Sequence, residues 1–166
     1  RPAGCLGLVE VDDQIAAARY LQALPYVHPE RIGIWGWSYG GYMAVMCMLA
    51  EANVFRAAAA VAPVTDWTLY DTIYTERYML QPEENPAGYR QGSPVHHASL
   101  LRGKLLLVHG LNDDNVHFQH TAQLASALQD AGKPFEVMIY PGKRHGIEGR
   151  HAHLYALLTE FFRRSL

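Results

Sequence analysis

Cysteine is scarce in these 166 residues. Cys5 and Cys47 are the only two, too few for a disulfide framework and without the spacing of a metal-ligand set. Charge of one sign is scarce as well: 14 Lys+Arg face 16 Asp+Glu, for a formal net charge of −2. That balance supplies no basic stripe, and so no electrostatic reason to expect a nucleic-acid partner. No apolar run reaches the ~20 residues needed to cross a bilayer. Repeats, low-complexity tracts and charge blocks that would divide the chain are missing too. The opening Arg1-Pro2-Ala3-Gly4 shows no charged-then-apolar leader, which leaves the compartment open. What remains is 49% hydrophobic, too apolar for disorder and long enough for one domain with its own core.

The apolar residues alternate between two periods. Ile15, Ala18, Leu21 and Leu24 lie at helical spacing in a segment from Val9 to Leu24, stopped by Pro25. Residues 31–35 predict a short buried strand, and an apolar helix follows from Tyr39 to Ala50. Arg56–Val61 predicts a second strand, ending before Pro63. Residues 65–101 are irregular and rich in Tyr, Pro and Gly, with short helices expected at 69–80 and 97–101; a connection this long predicts a functional loop region. Lys104–Val108 is the clearest strand, followed by a helix from Phe118 to Asp130 ending at Gly132. A strand at Phe135–Tyr140 and a helix from about Arg150 to Phe162 close the chain. Four short apolar strands separated by helices imply βαβ units and a parallel sheet covered on both faces.

The strand at 31–35 and the helix at 39–50 meet in Gly36-Trp37-Ser38-Tyr39-Gly40, a G-x-S-x-G sequence. Such a turn holds its serine in a strained conformation above the carboxyl end of the sheet. A Cβ at Gly36 or Gly40 is expected to collide with neighbouring chain. The Tyr39 backbone N–H, at the start of its helix, is placed to donate to a developing oxyanion. A glycine-rich turn can contain a serine by chance; the strand before it, the helix after it and the partners downstream favour catalysis.

A serine hydroxyl needs a base held by a third group. In a sheet of this kind the order along the chain is Ser, acid, His, and strand-end loops assemble the site. Asp113 and Asp114 follow the strand at 104–108, and spacing alone does not choose between them; one is expected to cap the helix beginning near His117. Of nine histidines, His145 follows the last strand, beside Gly146, in the right order. His109 ends a buried strand, where a structural hydrogen bond is expected. His28, His96, His97, His117, His120, His151 and His153 lie in polar or helical surroundings that suit solvated or capping roles. His117 and His120 are three apart, but without a third ligand they make no metal site. The reading is Ser38 as nucleophile, His145 as general base and then acid, and a carboxylate fixing the imidazole, with an acyl-enzyme and no cofactor.

Several segments together carry a resemblance. Glu10-Val-Asp-Asp-Gln14, Arg31 to Tyr42 around Ser38, Val61-Ala-Pro-Val64, Tyr74-Thr-Glu-Arg-Tyr-Met79, His109-Gly110, Asp113-Asp-Asn-Val-His-Phe118 and His145-Gly146 resemble the catalytic domain of the prolyl oligopeptidase family of serine peptidases. The motifs at 74–79 and 113–118 tip the resemblance toward its dipeptidyl group. The resemblance implies the C-terminal part of an α/β-hydrolase fold, with a mostly parallel sheet and helices on both faces. It favours Asp113 as the triad acid. It implies that Tyr39, Val64, Trp67, Tyr70, Tyr74 and Val116 line the pocket for the residue before the scissile bond, usually proline, and that Asn115 binds a substrate carbonyl. Ordinary packing of the long insertion accounts equally well for Trp67, Tyr70 and Tyr74 from sequence. Tyr70 and Tyr74, four apart, share a face if their segment is helical.

The implied partner is a peptide with proline before the scissile bond, and the full-length parent is expected to be a homo-oligomer. The family's β-propeller, its early hydrolase strands, its second oxyanion donor and the acidic residues that grip a free amino terminus have no counterpart in residues 1–166. These residues are therefore expected to be a C-terminal portion of the catalytic domain, weakly active or inactive alone and prone to self-association through an uncovered sheet edge. An acylaminoacyl peptidase or esterase of the same fold, and a catalytically silent scaffold, are the alternatives.

Overall fold

A computed structural model describes residues 4–51 and 53–166. Helix α1 (Val9–Gln22) leads into strand β1 (Gly33–Trp37), helix α2 (Tyr39–Ala50) and strand β2 (Ala57–Val61). The insertion holds α3 (Thr72–Met79) and α4 (Pro86–Gln91), flanked by 3₁₀ turns at Trp67–Leu69 and Pro94–Leu100. Strand β3 (Lys104–Gly110), helix α5 (Gln119–Asp130), strand β4 (Glu136–Tyr140) and helix α6 (His151–Ser165) complete the chain. The four strands lie in sequence order and every pair is parallel. The architecture is α/β, with helices on both faces of the sheet. No helix among the described residues is long and apolar enough to cross a membrane.

The unreversed strand order decides how the faces are covered. Right-handed crossovers that always step in one direction lay their connections on one side of a sheet. One core accordingly joins Val11 and Ile15 of α1, Tyr42 and Val45 of α2, and Leu124 and Leu128 of α5 to Ala58, Ala60, Leu105 and Leu107. The opposite face is left to α6, whose Leu154, Leu158 and Phe161 pack on Ala57, Ala59, Leu106 and Val108. β2 is alanine at four of five positions and fully buried, which lets helices approach it closely from both sides. α2 is buried from Gly41 through Leu49, as an all-apolar helix requires.

β1 begins two residues later than the predicted 31–35, because Arg31 N–H still closes a turn onto the His28 carbonyl at 3.0 Å. Among the described strands it lies at one side of the sheet, with Trp35 48% exposed. The predicted helix at 69–80 is a 3₁₀ turn followed by α3, and α4 went unread. Its signal is an Asn-Pro pair, with Asn85 as N-cap accepting from Gly88 N–H and Pro86 opening the helix. β3 runs two residues past the predicted 104–108 and so includes His109 and Gly110.

The turn between β1 and α2 requires one glycine of the predicted pair and one outside it. A Cβ on Gly36 would lie 2.2 Å from the Gly40 carbonyl oxygen, whereas a Cβ on Gly40 meets nothing within 4 Å. The second constrained position is Gly41, whose Cβ would sit 2.7 Å from the Val61 carbonyl oxygen. In urea unfolding of the full-length protein, Gly40→Ala is therefore expected to be neutral or stabilising by about 0.5–1 kcal/mol. Gly41→Ala is expected to destabilise by about 1–3 kcal/mol or more. Equal midpoints for the two variants would contradict this packing.

Candidate active site

Ser38 sits between the last residue of β1 and the first of α2 at φ 59° and ψ −119°. Non-glycine residues rarely hold such a conformation, which costs on the order of 1–3 kcal/mol. The surroundings enforce it: Ser38 N–H donates to the Val61 carbonyl at 2.8 Å, and its own carbonyl accepts from Tyr42 N–H at 2.9 Å. The side chain does not cap α2, so the hydroxyl is left facing a cavity. Tyr39, as the first helical residue, has a backbone N–H with no intrahelical acceptor.

That cavity measures about 110 Å³ and is lined by Ser38, Tyr39, Val64, Trp67, Tyr70 and Tyr74. Two aspartates shape its aromatic wall. Asp66 accepts from Thr68 N–H and caps the 3₁₀ turn carrying Trp67; Asp71 accepts from Tyr74 N–H and caps α3. Tyr70 lies in extended backbone between these elements, so it does not share a helical face with Tyr74. The chain turn brings the two rings together instead, edge to face at 5.4 Å, and Trp67 stacks on Tyr74 at 6.0 Å with 16° between planes. Asn115 is joined to this wall through Tyr70, whose hydroxyl donates to Asn115 Oδ1 at 3.0 Å. Val116 is fully buried and packs into the core; neither it nor Asn115 lines the cavity. Larger clefts lie at the other ends of the strands, around Arg56 and Arg102, and beside Tyr78 and Asn85, away from Ser38.

Asp113 and His145 meet on the adjoining side. Asp113 Oδ2 lies 2.8 Å from His145 Nδ1, and Oδ1 accepts the backbone N–H groups of Asn115 and Val116, each at 3.0 Å. Asp114 instead pairs with Arg144 on the surface at 3.1 Å. Asp113 thus both faces His145 and closes the turn after β3; neither aspartate caps the following helix as expected, because α5 starts at Gln119 with Phe118 as N-cap and no side-chain cap bond. Burial alone would raise its pKa, but hydrogen bonds from His109, His145 and the Asn115 N–H outweigh burial and hold the carboxyl well below the usual carboxylate range. An ionised carboxylate only accepts, so His145 Nδ1 carries the proton and the neutral ring presents a lone pair at Nε2.

Loop 141–147 is set from three sides. Trp37 Nε1 donates to the His145 carbonyl at 2.9 Å, Asn112 N–H to the Lys143 carbonyl at 2.9 Å, and His151 on α6 reaches the Gly146 carbonyl at 2.7 Å. Gly110 permits this approach, since a Cβ there would lie 2.5 Å from the Lys143 carbonyl oxygen. The structure therefore brings Asp113 and His145 into contact and ties them to Ser38 through Trp37, its chain neighbour. Among the described residues Ser38 Oγ has no hydrogen bond to His145.

Glu10 has no role assigned from sequence, His120 is expected to be solvated, and His109 makes the structural hydrogen bonds expected of it. Glu10 of α1 accepts from the Tyr39 hydroxyl at 3.0 Å; burial and that carboxylate together push the Tyr39 pKa up. His120 is fully buried, not solvated. Its Nδ1 accepts Thr65 N–H at 3.1 Å and its carbonyl accepts the Thr65 hydroxyl at 2.7 Å, which fixes the chain between Val64 and Trp67. Burial lowers its pKa to about 4, so it stays neutral at ordinary pH. Among the described residues no group of three or more His, Cys, Asp or Glu side chains is placed to hold a metal.

Comparisons with known proteins place the chain in a family. The family model described as "Prolyl oligopeptidase family" matches residues 3–166. Human dipeptidyl peptidase 8 is 45% identical over 160 residues, covering 92% of this chain and 18% of that protein. Dipeptidyl peptidase 4 of Sus scrofa is 45% identical over 163 residues, covering 95% and 21%. The crystal structure of Porphyromonas gingivalis dipeptidyl peptidase 4 superposes with a TM-score of 0.96 at 48% identity, over 99% of this chain and 24% of that one. The chain spans about a fifth of the length of the curated relatives it matches.

The two aspartates make opposite predictions. With an Xaa-Pro-arylamide and the full-length protein, Asp113→Asn is expected to lower kcat by ~10⁴. Asp114→Asn, which breaks an exposed pair, is expected to leave it within about twofold. Comparable losses in the two variants would contradict the assignment.

Proposed function

Because the chain belongs to the prolyl oligopeptidase family, we propose that it is the C-terminal portion of the catalytic domain of a serine peptidase that cleaves after proline and releases Xaa-Pro dipeptides from free peptide amino termini. The observation that carries this reading is the small aromatic-walled cavity onto which Ser38 opens. A pyrrolidine ring is flat, compact and apolar, and aromatic rings at mutual angles grip it on several sides at little entropic cost.

The chemistry follows from the neighbouring groups. Ser38 Oγ attacks the carbonyl carbon of the proline residue while His145 Nε2 takes its proton; Asp113 holds Nδ1–H and stabilises the imidazolium. The Tyr39 N–H donates to the oxyanion that forms. His145 returns the proton to the leaving amine, the C–N bond breaks, and an acyl-enzyme on Ser38 remains. Water then attacks the ester with the same base, releasing the dipeptide and restoring the hydroxyl. Asn115, oriented by Tyr70, is the group proposed to bind the carbonyl of the residue before proline. The full-length protein is proposed to act as a homo-oligomer on peptide substrates.

The test uses the full-length protein on Gly-Pro-, Ala-Pro- and acetyl-Ala-Pro-arylamides, with fluorophosphonate labelling alongside. The expected result is hydrolysis of the first two, refusal of the blocked substrate, and label on Ser38 that disappears in Ser38→Ala. Equal cleavage of the blocked substrate would move the assignment to acylaminoacyl or internal cleavage. A folded protein with no label and no turnover would make the chain a scaffold.

A further inference from the structure

His109 is a second imidazole on the Asp113 carboxylate, and the mechanism above gives it no task. It sits at the end of β3 with no solvent exposure. Its Nε2 lies 3.2 Å from Asp113 Oδ2 and 2.8 Å from the Val116 carbonyl, and its Nδ1 lies 2.7 Å from the Thr121 hydroxyl on α5. The Val116 carbonyl only accepts, so Nε2 carries a proton and donates it there, with Asp113 Oδ2 lying beside that bond; Nδ1 meets the Thr121 hydroxyl. Phe118 meets the ring edge-on at 5.7 Å.

We propose that His109 is a positioning residue for the reaction: its Nε2–H, 3.2 Å from Asp113 Oδ2, steadies that oxygen beside His145 and moderates the charge that His145 feels, and Thr121 holds the imidazole in the orientation that does so. This rests on the proposed peptidase function. The carboxylate has two oxygens, three hydrogen-bond donors and a second imidazole 3.2 Å away. Oδ1 is held by two backbone N–H groups that belong to its own turn. Oδ2, the catalytic oxygen, lies between two imidazoles, one from the end of β3 and one from the loop after β4. Without His109, Oδ2 would face His145 alone, held only through Oδ1 and with more of its negative charge felt by that ring.

The titratable groups that face this carboxylate are His109 from β3 and His145 from the loop after β4. His120 lies beyond His109 on α5, is buried, and stays neutral. Arg144, next to His145, pairs with Asp114 at the surface. Removing the His109 donor should therefore strengthen the pull of Asp113 on a proton at His145. The sign follows: the acid limb of kcat/KM moves to higher pH, because the base stays protonated longer.

The experiment measures kcat, KM and the pH profile of the full-length enzyme on an Xaa-Pro-arylamide. His109→Leu is expected to lower kcat about ten- to a hundredfold with KM nearly unchanged, and to move the acid limb up by roughly one unit. His109→Gln, whose side-chain amide places a donor near Nε2, is expected to recover most of both. If His109→Leu does not fold, the hydroxyl decides: Thr121→Val should shift kcat and the acid limb in the same directions by less, and Thr121→Ser should behave as wild type. Folded Leu and Val variants with unchanged profiles would overturn the proposal, as would a Gln variant as damaged as the Leu variant. A wild-type protein that neither takes the fluorophosphonate label nor cleaves would overturn the peptidase reading, and this proposal with it; an active wild type with unmoved variants overturns this proposal alone.

Discussion

One carboxylate, taken entirely out of water, organises the site. The Asp113 side chain has no solvent exposure, and an unpartnered charge in that position would be prohibitive. It is tolerated because three donors converge on it, two backbone N–H groups from the turn it closes and His145, with the His109 ring 3.2 Å away beside them. Each of these groups does local structural service as well. The turn N–H groups shape residues 113–116, His109 anchors the Val116 carbonyl to the end of β3, and His145 draws loop 141–147 against that turn. The charge thus holds the loops in place, and the loops keep the charge ionised.

Topology makes the convergence possible. In a parallel sheet every strand delivers its carboxyl end to the same rim. β1, β2, β3 and β4 therefore feed Ser38, Val64, Asp113 and His145 to one side of the molecule in chain order. What topology cannot do is bring these loops within hydrogen-bond distance. Here that depends on backbone-to-backbone approaches that exclude a Cβ: Gly36 against Gly40, Gly41 against Val61, and Gly110 against Lys143 and Arg144. The strain at Ser38 is sustained in the same way, by hydrogen bonds to β2 on one side and into α2 on the other.

Much of this was legible in the residues. The alternation of short apolar runs and helical spacing gave four strands, their order of chemistry and the junction that carries Ser38, because those features depend on local period and turn composition. The features that escaped depend on neighbours. Gly40 and Gly41 are indistinguishable in sequence; which one Val61 crowds is a fact of packing. His120 reads as a polar helical residue and is instead sealed beneath Thr65. Tyr70 and Tyr74 have helical spacing, but the Asp71 cap starts a new helix between them. The Asn85-Pro86 helix start was the one omission that local rules could have prevented.

The account depends most on Ser38, His145 and the aromatic cavity serving one substrate at one time. A crystal structure of the full-length protein with an Xaa-prolyl boronate, which forms a tetrahedral adduct with a reactive hydroxyl, tests that directly. The account predicts boron bonded to Ser38 Oγ, His145 Nε2 within about 2.6–3.2 Å of an adduct oxygen, and the pyrrolidine ring between Tyr39, Trp67, Tyr70 and Tyr74. A boronate bound away from Ser38, or one bonded to it with the ring outside the cavity and His145 turned from both, would contradict it.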